Sequence, residues 1–323
     1  MTTPERIGIA MVGCGQIAEA HLKAVAAVQG AALAFAVDAD AGRARSAAER
    51  YGAPRWSTSC DEALADPAVH AAVLCLPHDL HRPFSIRAAQ AGKHVLVEKP
   101  MALSEAEAQE MVTAADRAGV RLSVGQSTRC GAAHRRAKAL LGEGRIGRIV
   151  NVLLQRTFWI EQLSTDWRRL QTACGGLYLP LFGSHDIDAL LWLLEDTPSR
   201  VWGAVRAASP VSGGDSDGFI GMEFPDGKVA SIAFATRCRQ PREETVLVGT
   251  EGTLVLTRQR LLLNEEPLDL SGAEAPFTLQ MRLFVEALRE GREPPASGRE
   301  VVRVMRVLDL VRQASETGQA MRF

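Results

Sequence analysis

A lysine at the end of an apolar strand and a histidine at the head of an apolar helix are the two groups best placed for chemistry. The lysine lies in "AGKHVLVEKPMA", where Glu98, Lys99 and Pro100 follow the run HVLV. A partly buried lysine beside a cationic ring holds its proton less tightly and becomes useful for proton transfer to or from an oxygen. Taken alone, the segment reads equally well as a Glu–Lys pair before a turn proline. The histidine lies in "GSHDIDALLWLL", where His185 stands with Asp186 and Asp188 ahead of a wholly apolar run. Serine caps and first-turn acids are common at helix starts, so Ser184 is expected as the cap and Asp186 as an acid without chemical role. His185 is then the candidate for a site-facing group. Asp188, three positions on and on the same helix face, is placed to orient its ring. A satisfied buried histidine is the competing reading.

A third feature supplies a cofactor for such chemistry. "GIAMVGCGQIAEAHL" puts Gly13 and Gly15 in a turn between a strand and a helix, with Gln16 and Ile17 next and Ala18 where a third glycine often stands. Gly13 suits the tight turn, Gly15 the approach of a pyrophosphate to the helix start, and Ala18 close packing of helix on sheet. The motif follows an expected strand, opens a helix and begins a βαβ series, which is the context that gives it meaning. The second strand ends in Asp38, a group able to accept hydrogen bonds from ribose hydroxyls and to repel a 2′-phosphate. NAD is therefore expected over NADP. A solvated turn aspartate is the plain alternative. Arg43 and Arg45 lie within the next helix and are expected as surface charges.

The elements that must position these groups follow from the pattern. Through about residue 124, short continuous apolar runs ("IGIAMV", "ALAFAV", "AAVLCL", "HVLVE", "VRLSV") alternate with helical stretches, the mark of a parallel sheet covered on both faces. Ser104 and Glu107 form a capping-box pattern for a helix that stops at Gly119. After residue 125 the rhythm changes. A long strand at "GRIVNVLLQRTFW" and hairpins at "FIGMEFPDGKVASIAFAT" and "TVLVGTEGTLVL" predict a large, mostly antiparallel sheet, with helices near 277–290 and 300–317. The expected architecture is α/β: a doubly wound Rossmann domain over 1–124, and an α+β domain with an open sheet over 125–323 for substrate binding and oligomerisation.

Bulk properties exclude other classes. Of the 323 residues, 46% are hydrophobic and 23% charged, and the formal net charge of -1 leaves no basic footprint for nucleic acid. The longest apolar runs are too short to span a bilayer, and the N-terminal stretch lacks a signal pattern. The six cysteines make no paired or zinc-like spacing and read as reduced cytoplasmic thiols. "HDLH", His78 to His81, has too few ligands to predict a metal.

In order along the chain, the G-x-G-x-x-A loop, "CLPHDLH", "AGKHVLVEKPMA", "DWRRL", "GSHDID" and "GTEGTLVL" resemble the Gfo/Idh/MocA oxidoreductase family. The resemblance spans nearly the whole chain, and the Glu-Lys-Pro segment is its most specific part. It implies hydride transfer between a nicotinamide and a sugar or cyclitol carbon, and pairing of sheets in homodimers or homotetramers. It implies Lys99 as catalytic and substrate-binding, and His185 as the histidine at the reacting hydroxyl. It places Leu76, Pro77, His78, His81, Glu98 and also Lys99 at the cofactor. Arg129 and the Trp167–Arg168 pair fall at the substrate. One departure stands out: Leu181 occupies the position, four before the histidine, where the family pattern has an aspartate. A leucine neither accepts a proton nor holds a polyol, so an apolar substrate face is expected there. The leading expectation is an NAD(P)-dependent oxidoreductase acting on a sugar-like or other small polar alcohol or carbonyl. The alternatives are an NAD-binding sensor without this chemistry and an NAD-assisted glycoside hydrolase.

Overall fold

The first strand, β1 (Ile7–Val12), is buried at every position, as a strand covered on both faces must be. It leads through the glycine loop into α1 (Ala18–Ala27). There follow β2 (Ala31–Val37), α2 (Ala41–Tyr51), β3 (Arg55–Ser57), α3 (Cys60–Ala65), β4 (Ala71–Leu74), α4 (His78–Gln90), β5 (His94–Val97), α5 (Glu105–Ala118) and β6 (Leu122–Val124). These assignments come from a computed structural model that describes residues 6–323. The six strands pair in parallel in the order β3-β2-β1-β4-β5-β6. The order reverses between β1 and β4, and in sheets of this kind ligands bind beyond the carboxyl ends of the strands at that reversal.

The remainder comprises α6 (Ala132–Gly142), β7 (Ile149–Trp159), α7 (Gln171–Cys174), α8 (Ser184–Leu194), β8 (Arg200–Arg206), β9 (Asp217–Glu223), β10 (Val229–Ala235), β11 (Arg237–Gly249), β12 (Thr253–Leu256), β13 (Leu261–Leu263), β14 (Glu266–Pro267), α9 (Pro276–Arg289), α10 (Gly298–Thr317) and β15 (Met321–Arg322). Nine of the strands form a second sheet, β14-β13-β12-β11-β7-β10-β9-β8-β15. Its pairs are antiparallel except β7 with β10. The alternation of the sequence shows directly: Val152, Leu154 and Arg156 of β7 are buried, while Leu153 and Gln155 face outward.

The two compact units are not divided by a single cut. One contains the chain through Ala102, Ala106–Ser127 and Ala275–Val302; the other contains Leu103–Glu105, Thr128–Glu274 and Arg303–Phe323. The expected boundary after residue 124 therefore misses the return of 275–302 to the first unit. Packing explains the return. Met281, Phe284, Val285 and Leu288 of α9 enter the core that holds Leu22 and Val25 of α1, each side chain contributing about 1.5–3 kcal/mol by burial. The segment after α9 then follows β6. The Val124 N–H donates to the Ala296 carbonyl at 2.9 Å, and the Ser123 hydroxyl to the Pro295 carbonyl at 2.9 Å.

Candidate active site

In the first unit, the expected cofactor residues gather at the carboxyl ends of β1, β2, β4 and β5. Gly13 has φ of +87°, and a Cβ there would collide with the Cys75 carbonyl oxygen, so the turn demands glycine on both counts. A Cβ on Gly15 would meet nothing within 4 Å. The protein itself does not fill this space. Gly15, Gln16 and Ile17 are exposed, whereas Ala18 is wholly buried against the sheet. No side chain caps the start of α1. Vacant room at glycine beside an uncapped helix start fits a pyrophosphate.

Asp38 closes this region from the end of β2. Its Oδ2 accepts the Cys14 N–H at 2.8 Å and its Oδ1 the Asp40 N–H at 2.8 Å. Arg43 is at the surface, as expected, and its Nε and a terminal nitrogen lie 3.1 and 3.0 Å from Asp38 Oδ1. One turn of α2 after its Asp40 cap brings the guanidinium back over the strand end. Arg45 does point to solvent, paired with Glu49. Burial, with the Asp38 charge nearby, pushes the Cys14 thiol up to about 12, so it stays protonated.

Two residues expected at the cofactor are buried and hydrogen-bonded within the protein. His81 is fully buried, with Nδ1 2.7 Å from the Pro100 carbonyl and Nε2 3.0 Å from the Leu76 carbonyl. The ring thus sits between the Glu98-Lys99-Pro100 turn and the loop after β4, its one N–H in the neutral form donating to one of these two carbonyls, and burial holds it below its usual pKa. Glu98 is likewise buried. Its Oε1 lies 2.7 Å from His21 Nε2, and its Oε2 accepts the Lys99 backbone N–H at 3.2 Å. Burial pushes this carboxyl up, but the His21 hydrogen bond and the Lys99 charge outweigh it and hold the group below the usual carboxylate range. Lys99, Leu76 and Pro77 are partly exposed, and His78, at the start of α4, is buried.

In the second unit lie Arg129, Trp167, Arg168, Leu181 and His185, the last in the first turn of α8. This helix is entered from a π-helical turn, Leu179–Gly183, with Gly183 already at φ −57° and ψ −35°. There is accordingly no free helix end for Ser184 to cap, and its hydroxyl donates to the Pro180 carbonyl at 2.9 Å. Asp186 is not an exposed first-turn acid either. It is buried, 2.7 Å from the Arg156 guanidinium, and it accepts the Tyr178 hydroxyl. Asp188 is held by Arg129 at 2.7 and 2.6 Å. His185 is the one partly exposed side chain in the otherwise buried stretch from Gly183 to Leu191, as a site-facing group would be.

Leu181 belongs to an apolar cluster with Cys174 and Leu177, against which Ile160, Leu163, Trp167 and Phe182 pack. The Arg168 guanidinium lies 5.2 Å over the Trp167 ring, donates to the Ser164 hydroxyl, and is held below its ordinary pKa by burial. Asp215 was not singled out from sequence. Its carboxylate accepts the Leu177 and Leu179 N–H groups at 3.2 and 2.5 Å, and its carbonyl accepts the Tyr178 N–H at 2.8 Å, fixing the segment that carries Leu181. It lies 30 or more residues from its partners, so no local pattern marks it.

The chain's similarities agree with this geometry. The family described as "Oxidoreductase family, NAD-binding Rossmann fold" matches residues 7–126, and "GFO/IDH/MocA C-terminal domain" matches residues 134–255. A 1,5-anhydro-D-fructose reductase from Ensifer adhaerens is 29% identical, over 96% of this chain and 96% of its own. The structure of GenD2 from gentamicin A biosynthesis, in complex with NAD, superposes with a TM-score of 0.88 at 26% identity, covering 100% of this chain and 98% of its own. An aldose-aldose oxidoreductase from Caulobacter crescentus, complexed with glycerol, gives 0.90 at 26% identity over 98% and 100%. The chain belongs to the Gfo/Idh/MocA oxidoreductase family. It is an NAD-dependent oxidoreductase, and the residues around Gly15 and Asp38 fit that cofactor.

Proposed function

We propose that the chain moves a hydride between NAD and a CH–OH or carbonyl carbon of a sugar- or cyclitol-like substrate, with Lys99 and His185 handling the proton on the substrate oxygen. The observation that carries this reading is the setting of Lys99. Its main chain is fastened by Glu98, and the next residue by His81, at the carboxyl end of a strand beside the glycine loop. Bound NAD supplies the hydride acceptor or donor. Main-chain groups at Gly15, Gln16 and Ile17 hold its pyrophosphate, Asp38 its adenosine ribose, and Leu76, Pro77 and His78 the loop alongside. The second unit supplies His185 as the partner on the reacting oxygen, Arg129 as a support through Asp188, and Trp167 and Arg168 as substrate contacts. Leu181 gives the substrate pocket an apolar wall. The reductase of 1,5-anhydro-D-fructose and the aldose-aldose oxidoreductase support a sugar-like substrate.

The active form proposed is a homodimer or homotetramer joined through the open face of the nine-stranded sheet. Leu153 and Phe219 on that face are 47% and 44% exposed, and burial of this apolar surface against a second copy supports the assembly. The cytoplasm is the proposed location, since all six cysteines are free thiols. Single-turnover measurement of NADH formation or consumption over a sugar panel tests the chemistry. Lys99→Met should abolish turnover and leave NADH affinity nearly unchanged, and wild-type rates in this variant refute the assignment.

A further inference from the structure

Glu98 fastens the Lys99 main chain, but its buried partner His21 has no place in the roles assigned so far. We propose that His21 is a positioning residue: from the helix that opens the nucleotide site, it locks the Glu98 carboxylate and thereby sets the position and basicity of Lys99. This rests on the reading of Lys99 as the proton-transfer group.

His21 is completely buried on α1, six residues after Gly15. Its Nε2 lies 2.7 Å from Glu98 Oε1. An ionised carboxylate only accepts, so Nε2 carries the proton. The other carboxylate oxygen takes the Lys99 backbone N–H at 3.2 Å. Glu98 is therefore held at both oxygens, one by a neighbouring helix and one by the turn it must orient. Space is reserved for this arrangement. A Cβ on Gly125, just past β6, would stand 2.7 Å from Glu98 Oε1. Phe277 of α9 packs edge-on to the imidazole, with ring centroids 5.0 Å apart.

A purely space-filling role does not account for the imidazole. His21 Nδ1 is buried without a hydrogen-bond partner, and an unsatisfied buried polar atom is destabilising. An apolar side chain would avoid that cost but could not hold the carboxylate. Without a donor at His21, the buried Glu98 takes up a proton more readily, and Lys99 loses an adjacent negative charge. The other titratable groups that sense Glu98 are Cys75 at the end of β4 and His81 on α4. Burial keeps the thiol protonated and the imidazole neutral, so neither replaces the lost charge.

The test compares His21→Leu with His21→Gln, whose amide can restore a donor near the Nε2 position. Competitive reductive methylation of the full chain across pH, read at Lys99 by mass spectrometry without NAD, reports its basicity independently of turnover. In His21→Leu the labelling midpoint should move to lower pH by about half a unit or more, and the kcat limb that follows it should move the same way. Its kcat should fall about tenfold or more with NADH affinity within about threefold. His21→Gln should return both midpoint and kcat towards wild type. An unmoved midpoint and unchanged kcat in His21→Leu overturn the proposal. If that variant does not fold, Glu98→Gln carries the test, since it removes the same charge, and an unmoved Lys99 midpoint there is equally decisive against it. Wild-type single turnover in Lys99→Met would instead overturn the catalytic reading of Lys99, while the labelling shift still judges His21.

Discussion

Arg129 and Asp188 meet as a two-pronged buried pair, Nε to Oδ2 at 2.7 Å and a terminal nitrogen to Oδ1 at 2.6 Å, with Asp188 wholly out of solvent. Asp188 lies one helical turn after His185, so the guanidinium fixes the part of α8 that presents the histidine. A charge pair this deep is costly to break from one side only. Arg129→Leu should lower stability by about 3–5 kcal/mol in urea denaturation. Arg129→Lys should recover only part of this loss, because an ammonium cannot reproduce the two parallel hydrogen bonds. A midpoint unchanged by Arg129→Leu would show that the pair contributes nothing.

Cofactor preference turns on Asp38 and its contact with Arg43. In the role proposed for it at the adenosine ribose, the carboxylate's negative charge would disfavour a 2′-phosphate, and it also occupies Arg43. Asp38→Ala should therefore act twice, removing the repulsion and releasing a guanidinium. Calorimetric titration should show NAD(H) binding more tightly than NADP(H) in the wild type, and the gap closing by about tenfold or more in the variant. Adding Arg43→Ala should reopen it. Tighter NADP(H) binding by the wild type would sink this account.

How much of this was legible beforehand differs between the two units. In the first, the strands are buried on both faces, so periodicity and the glycine spacing placed Gly13 and Asp38 at strand ends, while Lys99, at the end of another strand, was singled out only with the help of the family resemblance. What escaped were side chains whose role depends on long-range partners. His21, Glu98 and His81 pack inward, and whether a histidine beside a loop turns to the ligand or to a carbonyl is decided by neighbours 5 to 77 residues away. In the second unit, "GSHDID" carries the signals of a helix start, yet the preceding π-helical turn supplies the main chain that a cap would otherwise complete. Asp186 and Ser184 consequently point into the protein. The strands β13, β14 and β15 have only two or three residues each, too few for alternation to show.

Acid should weaken the second unit through His134. Burial foremost, aided by the Arg156 and Arg258 charges and opposed by Glu243, lowers this imidazole to about 4. An unfolded histidine titrates near 6.5, so between these values the unfolded chain binds the extra proton. Its contribution is present in full above about pH 6.5 and is lost as pH falls towards 4, on the order of 3 kcal/mol in all. Unfolding free energies measured across that interval should decline less steeply in His134→Gln than in the wild type. Parallel slopes would exclude His134 as the titrating group.

The open sheet face gives a prediction about assembly. Leu153 of β7 and Phe219 of β9 lie on the same side of the sheet, with Ser231 and Ala233 of β10 paired to both strands. The double variant Leu153→Glu, Phe219→Glu places charge on the exposed face without touching the buried side. Light scattering should report a dimer or tetramer for the wild type at micromolar concentration and a lighter species for the variant. A stable wild-type monomer would refute assembly through this surface.

Leu181 separates likeness to the family from the chemistry of this chain. Its apolar neighbours are Cys174, Leu177, Ile160, Leu163, Trp167 and Phe182, and the Arg168 guanidinium over the Trp167 ring is directed to the Ser164 hydroxyl. Asp215 pins the main chain on either side of Tyr178, so the segment has little freedom to swing a new side chain outward. Leu181→Asp should therefore bury an unpaired acid, raise its pKa and destabilise the protein by several kcal/mol at neutral pH, with partial recovery as pH falls and the acid is protonated. Polyol binding should not improve. Leu181→Asn, which adds polarity without charge, should cost less and show no such pH dependence. Thermal unfolding at pH 5 and pH 8, together with KM for a polyol panel, checks both variants. A stable Leu181→Asp enzyme with a lowered polyol KM would mean that this wall of the substrate pocket accepts a carboxylate, and that the apolar character proposed for it here is wrong.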